Sequence, residues 1–96
     1  MRMMLKITLP TETANRAISD GSFAKVMEAT VSKLKPEAVY FATDKGKRCA
    51  MMFFDMQASS DLPVIAEPLF VGLNAEIEVQ PAMNLDDLKK GLGSAA

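Results

Sequence analysis

Four short segments of the sequence alternate between apolar and other residues, and this alternation most constrains the fold. They are MMLKITL (3–9), EAVYFAT (37–43), RCAMMFFDM (48–56) and AEIEVQP (75–81). An alternation with a period of two places successive side chains on opposite faces of a strand. Each segment therefore predicts a β-strand with one apolar side, and the four apolar sides together predict a single sheet with one buried face.

The segment between the first two strands predicts a helix in two pieces. The first piece starts at Thr11 and breaks at Asp20-Gly21. Ser22 is expected to cap the second piece, in which apolar residues recur at three- and four-residue spacing until Pro36 ends the helix. This amphipathic pattern favours a helix packed against the sheet.

The segment SSDLPVIAEPLFVGL (59–73) predicts another helix on the same sheet face, ending at Gly72. Its one interior carboxylate, Glu67, precedes Pro68, which cannot donate an amide hydrogen bond to Val64. We interpret Glu67 as a solvated residue rather than as part of a site.

The last segment predicts a short helix capped by Asn84. Its leucines, Leu85, Leu88 and Leu92, are expected to face inward. We expect residues 1–92 to form a single domain and residues 93–96 to be a frayed tail.

The element order β-α-β-β-α-β with a terminal helix predicts an α+β, ferredoxin-like fold. Its four-stranded antiparallel sheet is expected in the order 4-1-3-2, with both helical layers on one face. A two-residue turn at Lys45-Gly46 would pair Phe41 with Ala50 and Val39 with Met52, so that Val39 and Phe41 face the helices.

Composition excludes several classes of function. The chain has no histidine and one cysteine, so triads with a histidine base are excluded, a zinc or copper site is not expected, and no cofactor is predicted. The net charge of −1 gives no electrostatic reason to expect a nucleic acid partner. No uncharged apolar stretch approaches the roughly 18 to 20 residues of a membrane helix.

Cys49 cannot form an intrachain disulfide, which favours a cytoplasmic setting, and we interpret it as an inert thiol.

The second face of the predicted sheet is apolar over the hairpin and polar along the fourth strand. A monomer would leave its Met4, Tyr40, Met51 and Phe53 in water together, a larger apolar patch than monomers usually expose. We therefore expect a homodimer that covers this face.

This layout, over roughly residues 3 to 83, resembles the dimeric α/β-barrel superfamily, which includes small monooxygenases, muconolactone-isomerase-like proteins and stress-responsive barrel proteins. The segment AEPLFVGLNAEIEVQPAMNLDDL also resembles short uncharacterised bacterial proteins of this kind. The resemblance implies two sheets that face each other around a cavity. Haem-degrading members use a histidine that this chain lacks, so that activity is not implied.

The predicted cavity wall supplies the candidate ligand-binding residues: Met4, Lys6, Thr8, Tyr40, Met51, Phe53, Glu76 and Glu78. Three of them, Lys6, Tyr40 and Glu78, are candidates for catalysis. Lys6 and Glu78 would otherwise form a structural cross-strand ion pair, and Tyr40 would otherwise only pack.

Two hypotheses for function remain open. In the first, the dimer binds a small, partly apolar molecule. It is then either simply a binding protein or a monooxygenase- or isomerase-like enzyme that acts on this molecule without metal. In the second, the protein is a non-catalytic dimerisation module with no ligand.

Overall fold

The computed structural model describes residues 1–95 of the chain. The elements are β1 (Arg2–Thr8), α1 (Thr11–Asp20), α2 (Ser22–Leu34), β2 (Ala38–Asp44), β3 (Lys47–Asp55), α3 (Asp61–Leu73), β4 (Glu76–Pro81) and α4 (Leu85–Ala95). The α+β class is confirmed, and α1 and α2 are the two pieces of the first predicted helix.

The four strands form one open antiparallel sheet in the order β2-β3-β1-β4, which reads 4-1-3-2 from the β4 edge. β1 lies inside the sheet, where it pairs antiparallel with both β3 and β4. The strands at the two edges are therefore β2 and β4.

The β2–β3 hairpin has the predicted two-residue turn. Lys45 and Gly46 have φ values of 51° and 81°. Two positive φ values are what a type I′ turn requires, and its twist suits a hairpin. Phe41 lies opposite Ala50 and Val39 lies opposite Met52, so the predicted pairing of the hairpin is confirmed.

One face of the sheet, the core face, carries the hydrophobic core. The most completely buried large side chains are Leu5, Ile7, Met52, Phe54, Leu69 and Leu73. Ala14 of α1, Met27 of α2 and Ile65 of α3 belong to the same buried cluster. The three helices therefore cover one face, as predicted. Burial of each large apolar side chain contributes about 1.5–3 kcal/mol.

The break between α1 and α2 lies at Gly21, whose φ of 84° is in the left-handed region that glycine adopts at little cost. The amide of Ser22 donates a hydrogen bond of 2.8 Å to Oδ1 of Asp20. The side chain of Ser22 makes no capping hydrogen bond. The prediction that Ser22 caps α2 is therefore wrong, because Asp20 satisfies the free amide instead.

Helix α3 continues through Pro68 without a break. Proline has no amide hydrogen for the carbonyl of Val64. That carbonyl instead accepts a hydrogen bond of 3.2 Å from Nζ of Lys33 on α2. Glu67 is exposed, as predicted. The proline is thus accommodated by a contact between two helices.

Helix α3 ends one residue later than predicted, at Leu73, and Asn74 takes the left-handed conformation with a φ of 51°. Gly72 is helical and lies where α3 meets α2. A Cβ atom at position 72 would come within 3.3 Å of Cγ2 of Val26. The glycine therefore permits close helix packing and does not cap the helix.

Phe41 departs from the expectation that the helices cover it. It faces the core side of the sheet, but β2 is an edge strand and 61% of Phe41 is exposed. Together with Ile18 and Phe23 it lines an apolar cavity of about 160 Å³. The prediction for Phe41 is wrong because the helices pack over the central strands and leave the β2 edge uncovered.

Helix α4 also departs from the prediction. Asn84 caps it as expected, since Oδ1 of Asn84 accepts a hydrogen bond of 2.8 Å from the amide of Asp87. The three leucines expected to face inward are instead exposed, and α4 has no buried residue. The helix also continues through residues 93–95, where we expect a frayed tail, and Ala96 lies outside the described residues.

Two residues of α3 provide a test of this packing. Leu69 is fully buried, whereas 84% of Val71 is exposed two positions later. Leu69→Ala is expected to lower the free energy of unfolding by about 2–5 kcal/mol, because it leaves a cavity in the core. Val71→Ala, the matched control, should change it by less than about 0.5 kcal/mol. Urea denaturation measures both, and equal effects would contradict the orientation of α3.

Candidate functional site

The sheet face opposite the helices, called the open face, is the candidate site. Its side chains form three rows across β2, β3, β1 and β4: Ala38–Phe53–Met4–Gln80, Tyr40–Met51–Lys6–Glu78 and Ala42–Cys49–Thr8–Glu76. All eight predicted ligand-binding residues lie in these rows, because the strands alternate in the register that the sequence indicates. The predicted pairing of Lys6 with Glu78 across β1 and β4 is present in this register.

The open face divides into an apolar part and a polar part. Tyr40 is 64% exposed at the β2 edge, and Met4, Met51 and Phe53 are half-buried. On the other side Glu76 and Glu78 are exposed along the β4 edge. An aromatic and methionine surface thus lies beside a strip of carboxylates.

The ammonium group of Lys6 forms an ion pair with Asp44 rather than with Glu78. Nζ of Lys6 lies 3.2 Å from Oδ2 of Asp44. The hydrogen bond to Asp44 is the main cause that raises the pKa of Lys6, and the charges of Asp44 and Glu78 raise it further, while desolvation opposes them. Glu78 therefore raises the pKa of Lys6 through its charge alone, whereas Asp44 also does so through a direct hydrogen bond.

Because β3 separates β1 from β2, the side chain of Lys6 crosses β3 to reach Asp44. Cys49 of β3 is only 4% exposed although it lies on the open face. Sequence analysis missed Asp44 because the predicted second strand ends at residue 43. Asp44 nevertheless belongs to β2 and lies on the same face of that strand as Tyr40.

The three candidates for catalysis do not converge on one point within a single chain. Lys6, Tyr40 and Glu78 lie in the same row, but Tyr40 is on β2 and Glu78 is on β4. Three interstrand spacings separate these edges, a distance of roughly 14 Å. One small substrate atom cannot contact all three residues of the same chain at the same time.

A shallow groove of about 250 Å³ lies at the polar end of the open face. Its lining includes Thr8, Asp44 and Lys45 on one side and Glu76 and Glu78 on the other. Thr8 is 93% buried by its neighbours, so the groove presents mainly charged groups. This arrangement can accept hydrogen bonds and exchange protons with a polar group.

No group of three or more histidine, cysteine, aspartate or glutamate residues within residues 1–95 is arranged to hold a metal ion. In the same part of the chain, no helix combines the length and apolar character needed to cross a bilayer. Neither a protein-family model nor a curated protein matches the sequence significantly. The chemistry of the site must therefore be argued from its own residues.

The ion pair on the open face can be tested by titration. Asp44→Asn is expected to lower the pKa of Lys6, because its main raising contact is lost. Since that pKa is raised by folding, the pair stabilises the folded state at neutral pH, and its contribution is lost as pH rises through the raised pKa. NMR of labelled lysine side chains measures the shift.

Glu78→Gln serves as the matched control for this titration. It should lower the pKa of Lys6 less than Asp44→Asn does, because Glu78 acts without direct contact. A Lys6 pKa that is the same in Asp44→Asn and in the native protein would contradict the ion pair.

Proposed function

We propose that the protein is a homodimer whose subunits meet through their open faces and enclose a small, partly apolar molecule. The observation that carries this proposal is the uncovered apolar part of the open face. Helices α1–α3 all pack on the core face, which leaves Tyr40, Met51 and Phe53 together on the other side. A clustered apolar patch of this kind is typical of an interaction surface or a ligand site.

The division of the open face supports a ligand with two chemical parts. The aromatic and methionine side chains suit an apolar ring or short chain, and Met side chains adapt to irregular shapes. The groups around Lys6 suit a polar or negatively charged end. Two facing copies would present both parts twice, on opposite walls of one cavity.

The proposed chemistry is a metal-free, redox-neutral proton transfer of the isomerase type. The amine of Lys6, like any lysine with an unlowered pKa, is protonated at neutral pH, so it would serve as a hydrogen-bond donor that stabilises developing negative charge. Glu78 faces Lys6 and is not held in a direct ion pair among the described residues. It would accept the proton that leaves the ligand. Tyr40 would contact the apolar part of the ligand.

The competing function is a dimerisation module without a ligand. One observation favours it: the groove on the open face of a single copy is shallow and lies at the charged end, away from Phe53 and Met51. If the apolar side chains of two copies interdigitate, they fill the space between the sheets. A co-purifying molecule separates the two functions, because only an enclosed cavity would retain one.

The proposed dimer is tested by substitution on each side of the sheet. Phe53→Asp is expected to convert the dimer to a monomer or to unfold it, because an unpaired charge buried at an interface costs several kcal/mol. Val71→Asp, on an exposed helix position, is the control and should leave the dimer intact. Sedimentation velocity at micromolar concentration measures both. A native protein that sediments as a folded monomer would overturn the proposal.

The ligand is tested by denaturing the purified dimer and analysing the released small molecules by mass spectrometry. A stoichiometric compound with an apolar part and a polar end is expected. Lys6→Met should abolish its retention, because the methionine cannot donate hydrogen bonds. Lys25→Met, at an exposed position of α2 on the other side of the sheet, should retain it. A native dimer that releases no compound would favour the dimerisation module.

A further inference from the structure

Helix α4 presents an apolar surface that nothing in its own domain covers. Leu85, Leu88 and Leu92 share one side of the helix, at positions i, i+3 and i+7, and are here called the leucine stripe. Their exposed fractions range from 42% to 64%, and Met83 just before the helix is 68% exposed. An isolated helix of 11 residues is marginal in water, so α4 needs a surface on which to pack.

The position of α4 is fixed at one end of the open face. Nη1 of Arg2 lies 3.1 Å from Oδ2 of Asp87 in the first turn of α4, and Nε of Arg2 is paired with Glu37 at the start of β2. Arg2 has the same parity in β1 as Met4 and Lys6, which places these contacts on the side of the open face.

The leucine stripe faces away from this attachment. At about 100° per residue, the centre of the stripe lies roughly a third of a turn around the helix from Asp87. The contact with Arg2 holds a different side of α4 toward the domain, and the three leucines of the stripe stay 42% to 64% exposed. The stripe is therefore available to a surface outside its own domain.

The shape of the single chain indicates how much surface is missing a partner. Its accessible surface is 6337 Å². A compact monomer of 10.4 kDa would expose about 5400 Å², so the chain exposes about 900 Å² more than expected. Its radius of gyration of 15.0 Å likewise exceeds the roughly 12.5 Å of a compact domain of this length. The excess is close to the ~800 Å² that each partner buries in a standard interface.

We propose that α4 is an exchanged arm whose leucine stripe packs on the end of a second copy's open face, beside the area where the two open faces meet. This inference rests on the proposed dimer and adds the residues that complete its site. In a two-fold dimer each copy offers one arm and one open face, so two uncovered surfaces become two identical contacts. The arm would form a second wall over Phe53 and Met4 of the partner subunit.

Charge complementarity favours a second copy as the occupant. Lys89 lies beside Leu85 on the helix surface and so flanks the leucine stripe. The open face is flanked by the exposed Glu76 and Glu78 along β4. An arm laid over Phe53 and Met4 of the partner subunit would lie one row from Glu78, so Lys89 would meet an opposite charge at the rim of the contact.

The first experiment measures dimer dissociation by sedimentation velocity over a concentration series. The double variant Leu88→Gln/Leu92→Gln removes most of the stripe, and Asp86→Asn/Lys90→Gln alters the polar side of the same helix as the control. The leucine variant is expected to raise the dissociation constant about tenfold or more, and the control should leave it nearly unchanged. Because α4 has no buried residue, both variants keep the domain core, which thermal unfolding checks.

Failure of the arm and failure of the dimer give different results. A native protein that is monomeric at tens of micromolar overturns both proposals. A native dimer whose dissociation constant is the same in the leucine variant overturns the arm and leaves the dimer of open faces standing. A matched loss of affinity in the control variant also overturns the arm, because it would point to helix α4 as a whole rather than to its stripe.

The second experiment identifies what the arm contacts. A photo-crosslinking amino acid replaces Leu88, and isotopically labelled chains are mixed with unlabelled ones before irradiation. The expected product joins α4 of one chain to a β2–β3 peptide of the other, with mixed isotope content. Cross-links between two α4 helices, or only within one chain, would overturn the assignment of the open face as the surface that receives the arm.

Discussion

The packing of α1, α2 and α3 on a single face of the sheet is the constraint on which the rest of the structure depends. Leu5, Ile7, Met52 and Phe54 fill the space below these helices, so none of the three helices covers the other face of the sheet. The open face must then be polar, or it must be covered by something outside the domain. Because part of the open face is apolar, the face is not polar throughout. Its other part is charged, which a surface used only for assembly does not require.

The ion pair between Lys6 and Asp44 links the two parts of the open face. The lysine side chain starts on the central strand β1 and reaches past β3, so its ammonium group is held beside Asp44 of β2. This position leaves Glu78 opposite Lys6 without a direct contact. A carboxylate near a fixed ammonium group, beside an apolar surface, is an arrangement in which a ligand can exchange a proton and remain partly desolvated.

Local rules predict most of the fold and part of the site. The turn at Lys45-Gly46 fixes the β2–β3 register because its geometry depends on two residues alone. Alternation places Lys6 and Glu78 on the same face, but it does not fix the register of β1 against β4, which the structure supplies. Alternation cannot predict how far a side chain reaches, so the pairing of Lys6 with Asp44 across an intervening strand escaped it. The exposure of Phe41 depends on where the helices lie over the sheet, which periodicity does not encode.

The leucines of α4 also show what a local sequence pattern cannot predict. Their spacing predicts an amphipathic helix, and an amphipathic helix predicts a covered side, but the pattern does not say which chain provides the cover. The contact between Arg2 and Asp87 holds another side of the helix toward the domain, and the leucine stripe stays exposed. The stripe and the open face are thus two apolar surfaces that one chain leaves uncovered. Two-fold symmetry lets each of them meet the other without any further partner.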